Sequence, residues 1–91
     1  MTPEVAVTAG GDGAFSVVVR DGAMETHHRV TVPADPSAEG LPAVDPRRLV
    51  EESFAFLLDR EPASSILADF DLTVIGRYFP EYPAEIARRL G

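Results

Sequence analysis

The sequence predicts an α+β fold: a small antiparallel three-stranded β-meander packed against a C-terminal helical subdomain of three to four helices. Two observations carry that reading. Residues 1–33 alternate apolar and polar side chains with a period of two around Asp21-Gly22. Residues 45–91 carry large apolar side chains at helical spacing, punctuated by Pro46, Pro62, Pro80 and Pro83. Between these halves, residues 34–44 (ADPSAEGLPAV) read as a connector that Leu41 and Val44 pin down. The whole length of 91 residues makes a single domain.

The first strand is expected near Glu4 to Thr8 and joins the next through Ala9-Gly10-Gly11-Asp12-Gly13. Phe15, Val17 and Val19 alternate in the second strand; Met24, Thr26, His28, Val30 and Val32 alternate in the third. Asp21-Gly22 favours a two-residue type I′ turn, in which both central residues take positive φ. That turn pairs Arg20 with Ala23, Val19 with Met24, Val17 with Thr26 and Phe15 with His28. It puts His28 on the packed face and His27 on the outer face with Arg29.

The first helix opens with Asp45 as N-cap and Pro46 in the first turn, where a missing N–H costs nothing. Leu49, Val50, Ser53, Phe54, Phe56, Leu57 and Leu58 spread over roughly 200° of its wheel. Such an arc implies contact with the sheet on one side and later helices on the other. A second helix is expected from Pro62 to Asp69 or Phe70, with Ile66, Leu67 and Phe70 inward. Asp71 caps a third over Leu72 to Phe79, and Pro83 to Leu90 forms a fourth.

Cysteine is absent, so packing alone must hold the fold, and thiolate chemistry is excluded. All eight basic residues are arginine, a usage that fits a high-GC bacterial genome. The net charge of −7 repels phosphate backbones and anionic membranes, so neither nucleic acid nor membrane is expected as a partner. The amino terminus lacks a signal-peptide pattern, and no apolar run approaches the ~20 residues of a bilayer span, so a soluble cytoplasmic protein is expected.

Candidate sites are few. Consecutive strand residues point to opposite faces, so His27 and His28 are not expected to share a metal. Gly10-Gly11-Asp12-Gly13 matches no phosphate-binding loop and has no lysine to support one. Glu51, Glu52, Asp69 and Asp71 are explained by solvation and capping, and Ser64-Ser65 lacks a nucleophile-elbow context. A helix-turn-helix over Ser64 to Phe79 would offer DNA only Arg77. No catalytic residue, cofactor or metal site is therefore expected. The remaining feature is Tyr78-Phe79-Pro80-Glu81-Tyr82-Pro83, where aromatics set between prolines form a rigid amphipathic corner. Tyr78, Pro80, Tyr82 and Pro83 are the candidate partner-binding residues, against the alternative that Phe79 and one tyrosine simply fill the core.

The string S-F-x-F-L-L-x-R-E-P…I-L…F-x-L-x-V-I…Y-F-P-E-Y, carried by Ser53 to Tyr82, and more loosely THHRVTVP, resembles a family of small uncharacterised bacterial proteins. That resemblance covers about a third of the chain; it supports the domain boundaries and brings no activity. The functional expectation is a small acidic interaction or accessory module, acting with a protein partner or as a homo-oligomer. The alternative is a small-ligand protein or enzyme built on His27 and Arg29 with acidic side chains.

Overall fold

Three helices and a mixed four-stranded sheet make up the α+β architecture among residues 3–42 and 44–90, which the computed structural model describes. Strands β1 (Glu4–Ala9), β2 (Ala14–Asp21) and β3 (Met24–Thr31) form the antiparallel meander, in spatial order β1-β2-β3-β4. The fourth strand, β4 (Asp69–Asp71), runs parallel to β3 after a crossover through helix α1 (Pro46–Leu58). Helices α2 (Thr73–Tyr78) and α3 (Tyr82–Leu90) follow. Short 3-10 turns occupy Pro36–Glu39 in the connector and Ala63–Ser65.

Strand β4 corrects the expected second helix. Ile66, Leu67 and Phe70 have spacing that fits a helix, but Ile66 takes extended backbone angles and Asp69–Asp71 pair with the sheet. The Arg29 N–H donates to the Ala68 carbonyl and the Leu72 N–H to the Thr31 carbonyl, at 2.7 and 3.0 Å. Tertiary pairing of β3's free side overrides local spacing. Adjacent side chains diverge in extended chain, so Ile66 is buried while Leu67, expected inward, is 49% exposed.

The hairpin turn is also corrected. Asp21 pairs with Met24, leaving Gly22-Ala23 as the two-residue loop. Gly22 has φ +64° and no non-glycine residue has positive φ among the described residues, so only the first central position is left-handed. That is the type II′ sign pattern with glycine where it is required, instead of type I′ at Asp21-Gly22. The pairing moves by two positions: Val19 meets Thr26, Val17 meets His28 and Phe15 meets Val30. A two-residue shift keeps every side chain on its face. His28 is accordingly packed, opposite Val17 instead of Phe15, and His27 lies outside with Arg29.

Helix α1 starts as expected: the Asp45 carboxylate accepts from the Arg47 N–H at 2.9 Å, with Pro46 at the first position. Leu49, Val50, Ser53, Phe54, Phe56 and Leu57 are buried. Phe54 faces the sheet, its ring 5.3 Å from His28 and 6.0 Å from Phe70. Phe56 faces the later helices, at 5.8 Å from Phe79 and 5.3 Å from Tyr82. One helix thus separates two contact surfaces, which is why its apolar arc is so wide.

Two buried polar devices lock these surfaces. The Ser53 hydroxyl donates to the Leu49 carbonyl at 2.6 Å, so its 2.7 Å bond to Tyr82 is donated by the phenol. The His28 Nδ1–H donates to the Leu67 carbonyl at 2.7 Å, and Nε2 lies 2.9 Å from Thr26 Oγ1. His28 thereby ties β3 to the segment that leads into β4.

Candidate functional site

A groove of about 290 Å3 opens between the end of α1, the 61–67 segment, β4 and α2. Leu57, Ile66, Phe70 and Ile75, all buried, belong to its lining and join it to the core. Leu67 and Tyr78 line it too but are 49% and 69% exposed. Met24, at the hairpin tip, is the one other large apolar side chain so exposed among the described residues. Two of three such side chains therefore converge on one concavity. Isolated exposed apolar residues need no explanation, whereas a concave cluster does.

Both walls are held in place. At the end of α1, the Arg60 guanidinium lies 3.7 Å over the Phe56 ring, donates to the Phe56 carbonyl and pairs with Glu81 at 3.4 Å. Arg89 of α3 reaches Asp59 at 2.7 Å, and this bond raises its pKa. On the other wall, Asp71 lies just ahead of α2, its carboxylate accepting from both the N–H and the hydroxyl of Thr73 at 2.9 and 2.8 Å. Phe79 then meets Phe56 edge-on. The polar groups in the groove are Glu61, Ser65 and the Tyr78 hydroxyl; no histidine lines it. Glu61 takes part in no ion pair among the described residues. This chemistry suits an apolar side chain accompanied by a cation.

The expected partner-binding residues separate. Tyr78 lines the groove, and Pro80 is exposed just beyond it. Tyr82 is 1% exposed and belongs to the core, where burial pushes its phenol up to about 12. Pro83 is half-buried and lines a separate small concavity with Leu41. Sequence reasoning missed Leu57, Glu61, Leu67 and Phe70 as groove residues. Leu67 carried a usable signal, since in an extended chain only one of Ile66 and Leu67 faces inward.

His27 and Arg29 share the outer sheet face but are not brought into a pocket. His27 Nε2 lies 2.8 Å from Glu25, which also holds Arg20 at 2.9 Å. These contacts, His27 first and then Arg20, lower the Glu25 pKa. Arg29 pairs with Asp12 at 2.8 Å; the Ala14 N–H, and secondarily Arg29, keep that carboxyl below its usual range. Neither His27 nor Arg29 lines the α1–α2 groove or the smaller concavities. The stretch Ser64 to Phe79 holds part of a 3-10 turn, a strand and one six-residue helix instead of two helices. No cluster of three metal-ligating side chains occurs among the described residues, and none of their helices is long and apolar enough to cross a membrane.

No family model, no curated protein and no solved structure matches the chain.

Proposed function

We propose that this protein is a small acidic interaction module whose groove between α1 and α2 receives a segment of a partner protein. The occupant carries one or two large apolar side chains next to a lysine or arginine. The carrying observation is the convergence of exposed Leu67 and Tyr78 on an apolar groove whose rim carries the carboxylate of Glu61, unpaired among the described residues. The apolar walls supply the attraction by removing hydrocarbon from water, about 1.5–3 kcal/mol for each large side chain fully buried. Glu61 and the net charge of −7 select a basic flank and steer its approach. A groove this small suits a weak, regulated contact better than a permanent one. An accessory role within a larger assembly follows from the same features.

Selection from a random peptide library tests the reading. Enriched peptides should share an apolar residue beside a basic one, and Leu67→Asp should weaken their binding by at least about tenfold. Saturable peptides that bind Leu67→Asp and Glu61→Gln as tightly as the parent would overturn it.

A further inference from the structure

The two edges of the sheet are treated differently. Strand β4 is only three residues long and begins and ends with Asp69 and Asp71, both features that discourage further pairing. Strand β1 is six residues long, EVAVTA, with one charge at its start and no internal proline. Its other side chains are small or β-branched, as strand pairing favours.

The hydrogen-bonding phase shows what this edge offers. The Gly10 N–H donates to the Ala14 carbonyl at 2.8 Å, continuing the register in which Ala9 faces Phe15. Bonded pairs alternate along an antiparallel ladder, so Thr8, Ala6 and Glu4 direct their backbone groups to β2. Val5, Val7 and Ala9 direct theirs outward. None of these outward groups bonds to another element among the described residues. A concavity of about 230 Å3 borders the same edge, lined by Glu4, Val5, Ala6, Val18 and Arg20.

We propose that the β1 edge pairs with β1 of a second copy of this chain, antiparallel about a two-fold axis at Ala6. Opposed residues must share a face, so the axis passes through a residue. Axes at Ala6 and at Val7 both keep five residues of pairing within the strand, and Ala6 puts the smallest outward side chain on the axis. Val5 then exchanges backbone bonds with Val7 of the second copy, and their side chains stay on the core face. Outside, Ala6 meets Ala6 and Val18 flanks it in each copy, giving a small apolar row. Glu4 sits opposite the Thr8 hydroxyl. The two Glu4 side chains lie about 14 Å apart along the strands at 3.4 Å per residue, beyond a Debye length of about 8 Å. The strand is thus complementary to itself in shape, face and charge, which selects a second copy over a foreign strand.

The test is sedimentation equilibrium from low micromolar to near-millimolar protein at about 0.15 M salt, with three variants. The parent should approach twice its 9.8 kDa mass. Ala6→Lys, at an exposed position, should keep the parent's circular dichroism and weaken association by roughly a hundredfold, because it opposes like charges across the axis. Ala6→Cys, in a chain without other cysteines, should form a disulfide-linked dimer on mild oxidation, since facing Cα atoms at such a position are about 4.5 Å apart. Glu4→Cys should not. If Ala6→Lys fails to fold, the two cysteine variants decide the matter. A parent that stays monomeric throughout overturns the proposal, whether the edge then stays open or takes another protein's strand. So does a dimer that Ala6→Lys leaves intact, or one that oxidation links in the Glu4→Cys variant and not in Ala6→Cys. None of these results bears on peptide binding in the α1–α2 groove, which is measured separately.

Discussion

Tyr82→Phe isolates the buried hydrogen-bond chain that joins α3 to α1. The phenol donates to Ser53, which donates to the Leu49 carbonyl, and Tyr82 is 1% exposed. At neutral pH the substitution removes one hydrogen bond, leaves Ser53 still donating, and preserves the ring against Phe56. The expected loss is about 0.5–1.5 kcal/mol. The larger effect lies at alkaline pH. Burial raises the phenol from 10.0 to about 12, with a secondary contribution from the Asp71 charge. Between these values the unfolded chain has lost this proton and the native protein retains it. Stability attributable to Tyr82 is therefore fully present below pH 10 and declines as pH rises towards 12. A shift of two units corresponds to roughly 2–3 kcal/mol. Urea unfolding at stepped pH, compared between parent and Tyr82→Phe, reads this term directly. The stability deficit of Tyr82→Phe should shrink and reverse sign between pH 10 and 12. Parallel pH curves for the two proteins would refute the reasoning and place the phenol in contact with water.

Other substitutions probe separate parts of the fold by the same urea titration. Phe54→Ala removes a fully buried ring between His28 and Phe70 and should cost about 3–5 kcal/mol, much of the 5–10 kcal/mol typical of such a domain. Glu52→Ala, on the half-exposed arc of α1, should change stability by less than about 0.5 kcal/mol; comparable damage from both would mean the helix is rotated. Gly22→Val should cost about 1–3 kcal/mol because a β-branched residue resists φ near +64°, and unchanged stability would reject the turn assignment. Removing trace metal with a chelator should leave the melting temperature unaltered, and a stoichiometric metal lost in both His27→Ala and His28→Ala would contradict that.

Much of the fold was legible because strong local chemistry agreed with tertiary packing. Asp45-Pro46 marked the start of α1, and its broad arc anticipated two contact surfaces, which Phe54 meets at the sheet and Phe56 at the later helices. Strand faces were readable even though the hairpin pairing was displaced, because a shift by two preserves parity. Strand β4 was hidden for a physical reason: three residues are too few for a period to show, and partners 40 residues away in sequence hold them in place. That miss concealed the groove, since Leu67 turns outward only if its segment is extended. Tyr78 stood out as part of an aromatic and proline cluster, but nothing in that reading told it from Tyr82. The hydrogen bond to Ser53, 29 residues away in sequence, is what puts Tyr82 inside.

Docking in the groove is tested most directly by a photo-crosslinking amino acid placed at position 78 in the native cell, with Ser16 on the outer sheet face as the control position. The expected result is one partner linked at 78 and not at 16, through a segment that carries an apolar residue beside a lysine or arginine. Leu67→Asp in the same chain should abolish the link. Equal crosslinking at both positions, or a link at 78 that survives Leu67→Asp, would contradict docking in the α1–α2 groove.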